Sequence, residues 1–261
     1  MSLPHPILSV DGVSRRYRLP RRTLFGPAPQ LAAVQDASLV VGRGEVLGIV
    51  GESGSGKSTL ARMVMGLERP DRGTIRINGT DPHRCGRAAM KHLRWRMQMV
   101  FQDPFGSLDP RRSIGWSVAE PLLAAGLPSA ERGSRVLDML GRVGIDPGAA
   151  SRYPHEFSGG QRQRIAIARA LVTRPALLVA DEPVASLDVS VQAQILDLLM
   201  DLHEEFGLSM LVISHDLAVV ASICDRVAVM RAGRIVETGA TRTILTAPAH
   251  AYTKELVSAF G

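Results

Sequence analysis

The sequence predicts an α/β fold with a mostly parallel sheet, an antiparallel β region at the N-terminus and an inserted helical subdomain. Three observations carry this expectation. Short apolar strands alternate with helical stretches in the C-terminal half, a pattern that favours parallel strands joined by helices. A glycine-rich turn joins an apolar strand to a helix just after Val50. Residues 88–172 read mainly as helix and interrupt the alternation. A chain of 261 residues is comfortable for one such domain, residues 1–261, with the helical insertion at about 103–165.

Taken in order, Ile7 to Val13 and Ala33 to Val41 read as strands, separated by an exposed Pro- and Arg-rich connection through Arg21, Arg22, Pro27 and Pro29. Glu45 to Gly51 is a short apolar strand, followed by the glycine-rich turn and a helix from about Lys57 to Gly66. After a short strand at Met97 to Gln102 come helical stretches at Val118 to Ala125, Ser129 to Val143 and Gly160 to Val172. Strands return at Ala176 to Asp181 and Leu208 to Ser214. Between them lies a helix whose apolar residues Val191, Ile195, Leu198 and Leu202 follow a period near 3.6. Shorter elements from Val227 to Thr238 and a helix near Tyr252 to Ala259 end the chain.

Composition narrows the function. Hydrophobic residues make up 45%, close to the globular average, and no low-complexity tract or repeat interrupts them. No apolar run approaches the roughly 18 residues that span a bilayer, so a membrane-spanning role is excluded. Met1-Ser2-Leu3-Pro4 carries no export signal, which leads to the expectation of a cytosolic location. Two cysteines, Cys85 and Cys224, are too few for a disulfide framework or a four-thiolate metal site and are expected to be reduced thiols. The net charge of +6 could serve nucleic acid, an anionic membrane face or phosphate ligands. Scattered arginines and 4% aromatics speak against a base-stacking platform, and no nucleic-acid partner is expected.

Gly51-Glu52-Ser53-Gly54-Ser55-Gly56-Lys57-Ser58 matches the pattern G-x-x-x-x-G-K-[ST] between a strand and a helix. Its glycines let backbone amides wrap a β-phosphate, and the helix N-terminus adds its positive end. Lys57 would reach the β- and γ-phosphates and Ser58 would bind Mg²⁺, so ATP and Mg²⁺ are the expected ligands.

The run Leu177 to Ala180 ends in Asp181-Glu182-Pro183, adjacent carboxylates at the carboxyl end of a buried strand, where ligands sit in open α/β sheets. Asp181 can hold Mg²⁺ directly or through water. Glu182, on the other side, can polarise the attacking water as general base. Read alone, the same residues could end a strand in a solvated acidic turn.

The segment Phe157-Ser158-Gly159-Gly160-Gln161-Arg162-Gln163-Arg164 resembles the LSGGQ signature of ABC ATPases, with Phe157 where leucine is usual. The resemblance runs nearly end to end and implies a P-loop NTPase, RecA-like core. It implies that Tyr17 stacks on adenine, that Thr59 joins the ATP contacts, and that Gln102 touches Mg²⁺ or the attacking water and senses the membrane subunit. Asp188, in Ser186-Leu187-Asp188, matches the loop that crosses to the other subunit, and His215 matches the histidine on the γ-phosphate. In such proteins two chains pair head to tail, and each ATP lies between one chain's phosphate loop and the other's Ser158, Gly159, Gly160 and Gln161 equivalents.

Phe101-Gln102-Asp103-Pro104-Phe105-Gly106-Ser107-Leu108-Asp109-Pro110-Arg111 is similar to a stretch of the oligopeptide, dipeptide and nickel importer ATPases, with Asp109 for the usual asparagine. The ending Ala249-His250-Ala251-Tyr252-Thr253 fits the same group, with Ala251 where proline is common. This resemblance implies a transporter ATPase, an importer of peptides or a related small solute such as nickel or a metal chelate. Its partners would be a related but different ATP-binding chain, two transmembrane permease subunits and, through them, a solute-binding protein. It would sit at the cytoplasmic face of the inner membrane. Rival readings are ABC ATPases of DNA repair or translation, which call for coiled-coil heptads or tandem domains, and a small-molecule P-loop kinase, which the Ser158 and Gln102 segments disfavour.

Overall fold

The computed structural model describes residues 6–20 and 29–259, with the side chains of Pro104 and Phe105 left aside. Met1 to Pro4, Arg21, Arg22 and Pro27 lie outside the described residues. Strands β1 (Leu8–Arg18), β2 (Gln30–Val41) and β3 (Val46–Val50), helix α1 (Lys57–Val64) and strand β4 (Arg72–Ile77) come first. Then follow α2 (Arg87–Arg96), β5 (Met97–Val100), α3 (Pro104–Ser107), α4 (Ile114–Ala125), α5 (Ser129–Arg142), α6 (Gly159–Leu171), β6 (Leu177–Asp181) and α7 (Val189–Phe206). The last elements are β7 (Ser209–Ser214), α8 (Leu217–Ile223), β8 (Arg226–Arg231), β9 (Arg234–Ala240), α9 (Thr241–Thr246) and α10 (Ala251–Ser258). They form two compact units, one of Met1–Gly86 with Leu211–Gly261 and one of Arg87–Met210.

In the first unit β2, β1 and β4 make the antiparallel sheet expected at the N-terminus. Leu8 stands opposite Val41 and Ile77, and Val10 opposite Leu39 and Ile75, so the alternating apolar residues of three strands meet on one face. β3 is different. All five of its residues are buried, as a strand covered on both faces requires, and it pairs in parallel with β8 from Leu47↔Arg226 to Val50↔Val229. The Asp225 carboxylate accepts the Val46 N–H at 2.9 Å and fixes that register at its start. β8 returns as β9 through the two-residue turn Ala232-Gly233, both at positive φ (47° and 82°), the turn whose twist suits an antiparallel hairpin.

The second unit carries the parallel pair β5 and β6, matched from Met97↔Leu177 to Val100↔Ala180, and six of the helices. It spans residues 87–210, since β5 pairs with β6 and packs on α2 and α6, and α6 packs on α7. α4 starts four residues before Val118, since the Ser113 hydroxyl caps it by accepting the Trp116 N–H at 3.3 Å. α7 buries Ile195, Leu198 and Leu202 as their spacing predicts, together with Leu196 and Leu199. Helix α2 escapes sequence reading because Leu93 alone among its residues is buried, which leaves no apolar stripe. Among the described residues no helix is long and apolar enough to cross a membrane.

Gly48 sits where helix α8 lies directly on β3. A Cβ there would come within 2.4 Å of Val220 Cγ1 and 3.0 Å of the sulfur of Cys224. Cys224 is a free, buried thiol whose ionisation is pushed well above its ordinary range by that burial. Gly48→Ala is expected to overpack this contact and cost about 1 to 3 kcal/mol. A urea midpoint equal to the parent's would show that Val220 and Cys224 give way freely.

Candidate functional site

The glycine-rich loop of residues 51–58 is held by backbone from three directions within the first unit. It leaves β3 at Gly51, whose Cβ position lies 2.0 Å from the carbonyl oxygen of Met230 at the end of β8. It enters α1 at Gly56 (φ 106°), whose Cβ position lies 2.2 Å from the Ala33 carbonyl oxygen on β2. No side chain fits at either point, which is the steric reason for these two glycines. The hairpin turn supplies the third support: Gly233 N–H donates to the Ser55 carbonyl at 2.9 Å, and its own carbonyl accepts the Gln35 N–H at 2.7 Å.

Inside the loop, Lys57 is 4% exposed and its ammonium donates to the carbonyls of Gly51 (2.6 Å) and Glu52 (2.9 Å). The Ser55 hydroxyl is buried without a hydrogen-bond partner among the described residues, a polar atom whose need an anionic oxygen can meet. Ser53 and Gly54 are exposed, while Ser58 and Thr59 are half-buried in the first turn of α1. The same unit contains two other expected contacts. Tyr17 lies near the end of β1 with the Arg15 guanidinium over its ring, 5.1 Å from the centroid. His215 is exposed immediately after β7, next to Asp216, whose carboxylate caps α8 through the Ala218 N–H at 2.7 Å.

In the second unit Asp181 ends β6 and is 7% exposed. Glu182 follows with φ 49°, a left-handed conformation that a non-glycine residue adopts at a cost, so the chain turns sharply between the two carboxylates. Gln102, just beyond β5, donates from Nε2 to Glu182 Oε2 at 2.8 Å. Two residues selected separately from the sequence are thus in direct contact, because β5 and β6 run in parallel and end side by side.

Ser158 caps α6 reciprocally: its hydroxyl accepts the Gln161 N–H at 3.3 Å, and Gln161 Oε1 accepts the Ser158 N–H at 2.9 Å. Phe157, in the leucine position, is buried beneath the Arg152 guanidinium at 5.0 Å. A Cβ on Gly160 would meet Val191 Cγ1 at 2.6 Å, and one on Gly159 would meet Leu187 at 3.7 Å, so α6 packs closely on the start of α7. Asp188 is exposed at the N-cap of α7 and its carboxylate makes no capping bond there.

Sequence reasoning missed Tyr252, whose hydroxyl accepts the Glu52 N–H of the phosphate loop at 3.1 Å. It also missed Glu237, whose carboxylate accepts the N–H groups of Ala249 and His250 at 2.8 and 3.0 Å and seats α10. The segment 249–253 was distinctive in sequence, but nothing local to it shows what it touches.

Residues 34–185 match the family model described as ABC transporter. A glutathione import ATP-binding protein of Pectobacterium atrosepticum is 47% identical over 97% of this chain, which spans 41% of that protein's length. A putative peptide import ATP-binding protein of Brucella ovis is 48% identical over 97% of the chain and 78% of its own length, and one of Brucella abortus is 51% identical over 96% and 75%. Among solved structures, a dimeric ATP-binding cassette in a post-hydrolysis state bound to ADP and Pi superposes with a TM-score of 0.79 at 28% identity, covering 90% of this chain and 99% of that one. A Clostridium perfringens protein that is part of the ABC transporter complex cbiONQ gives 0.79 at 30% identity, covering 94% and 92%.

Proposed function

We propose how this chain acts from one premise: it belongs to the ABC transporter family and is an ATPase, homologous to peptide and glutathione import ATP-binding proteins. The observation that carries the reading is the phosphate loop, with the buried Lys57 ammonium resting on the loop's own carbonyls. Those carbonyls are neutral acceptors, and phosphate oxygens carrying full charge compete well for the same ammonium. Gly51, Ser53, Gly54, Ser55 and Gly56 then wrap the phosphates, with Thr59 in the following turn. Tyr17 stacks on adenine, and His215 contacts the γ-phosphate. The whole of residues 1–261 acts as one ATP-binding domain with a helical subdomain at about 103–165.

Ser58, Asp181 and Gln102 would hold Mg²⁺. Their set of one hydroxyl, one buried carboxylate and one amide suits an ion that takes few protein ligands and leaves places for phosphate and water. Bound there, Mg²⁺ supplies positive charge against the β- and γ-phosphate oxygens. Glu182 acts as general base, taking the proton of the water that attacks the γ-phosphorus. The bond from that phosphorus to the bridging oxygen breaks, and ADP leaves with the electron pair. The present bond from Gln102 to Glu182 supports a shared duty for the two side chains.

The similarity to import proteins supports a peptide or related small solute as cargo. On this reading the chain lies at the cytoplasmic face of the inner membrane beside two permease subunits, which Gln102 senses, and serves a solute-binding protein through them. Its ATPase partner is a related but different chain, paired head to tail so that Ser158, Gly159, Gly160, Gln161 and Asp188 meet the partner's ATP.

Three outcomes are expected. Glu182→Gln should bind MgATP yet hydrolyse it about 10² to 10⁴ times more slowly, and turnover within a factor of two of the parent would place the base elsewhere. Gln102→Ala should lower transport in reconstituted vesicles more than it lowers nucleotide binding; normal transport would remove its coupling role. Two differently tagged copies of this chain, co-expressed with the transporter's other subunits, should not co-purify, and their recovery together would establish a homodimer.

A further inference from the structure

Tyr252 is remote in sequence from every residue of the nucleotide site, yet its hydroxyl lies 3.1 Å from the Glu52 nitrogen, whose N–H it accepts. That nitrogen belongs to the same peptide unit as the Gly51 carbonyl, which accepts from the Lys57 ammonium at 2.6 Å. One peptide plane is therefore pinned at both ends, by Tyr252 at its N–H and by Lys57 at its C=O. A peptide unit turns about its flanking bonds as a rigid plate. Fixing the N–H thus fixes where the carbonyl points, and with it the resting place of the ammonium. An amide whose N–H is engaged is also a better acceptor at its oxygen.

The tyrosine is itself tightly held. It is 2% exposed, and the Arg231 guanidinium covers its ring at 4.5 Å from the centroid. Its own N–H donates to His250 Nδ1 at 3.1 Å, and Glu237 on β9 binds the two amides that lead into α10. Arg231 follows Met230, whose carbonyl oxygen is the atom lying against Gly51. The end of β8, the start of α10 and the start of the phosphate loop thus close a ring of contacts around one peptide. Burial holds the Tyr252 hydroxyl above the ordinary phenol range, so it stays protonated and neutral at physiological pH.

We propose that Tyr252 is a positioning residue of the nucleotide site, acting through the Gly51–Glu52 peptide to set the Lys57 ammonium for the phosphates. This rests on the reading of residues 51–58 as the phosphate loop. Glycines alone leave such a loop with many conformations, and the tyrosine removes some of that freedom before nucleotide arrives.

Tyr252→Phe keeps the ring under Arg231 and removes only the hydroxyl. Titration of the full chain with a fluorescent trinitrophenyl-ATP and Mg²⁺ should show affinity about three- to tenfold weaker than the parent's, the range expected for one amide hydrogen bond. The nucleotide-free melting temperature should fall by no more than a few degrees, the cost of the same lost bond in the resting fold. Because the tyrosine acts through Lys57, adding Tyr252→Phe to Lys57→Ala should weaken binding no further than Lys57→Ala alone. Parent-like affinity in Tyr252→Phe overturns the proposal. So does a loss that adds in full to that of Lys57→Ala, or one accompanied by a melting temperature about ten degrees or more lower, since the hydroxyl would then serve the seating of α10. Parent-like affinity in Lys57→Ala is a separate result, and it would remove the phosphate-loop reading itself.

Discussion

A loop that wraps phosphate must turn its amides inward, and it can do so only where neighbouring backbone comes close enough to brace it from outside. In this chain the bracing is steric before it is electrostatic. The Met230 and Ala33 carbonyls occupy the places where Gly51 and Gly56 would carry side chains. Strand β8, the N-terminal sheet and the phosphate loop must therefore be assembled together, since none of these approaches survives without the other partner in place. The parallel pairing of β3 with β8 follows as a requirement of the site as much as of the core.

Electrostatics then acts on a frame already set. A buried ammonium without partners would be expensive, and Lys57 avoids that cost by binding two carbonyls of its own loop. These are neutral acceptors, so the charge is satisfied within the loop itself. Glu182 solves a related problem in the second unit. Held in a left-handed conformation and tied to Gln102, it is a carboxylate with a defined direction and a partner that can be exchanged.

Much of this was legible in the sequence because the relevant signals are local. The order strand, glycine-rich turn, helix can be read from residues 45–66, and the alternation of strands and helices from the short apolar runs. Asp181 and Glu182 were recognisable because a buried apolar strand ends there. What escaped was non-local or lacked periodicity. Tyr252 meets Glu52 across 200 positions, Gly233 meets Ser55 through a hairpin turn, and α2 offers a single buried residue. Helix α4 was foreseen but shortened, because a serine cap is visible only when its first turn is already suspected.

Gly160 carries a meaning for genetics that chemistry alone would obscure. Its hydrogen faces Val191 at a distance where no methyl group fits, so α6 and α7 touch through it. Loss of function in a strain carrying Ala at this position would be credited by habit to the nucleotide, although a packing fault between two helices produces the same phenotype. A paired change that shortens Val191 to Ala separates the two causes: restored growth assigns the defect to crowding, and continued failure assigns it to the ligand.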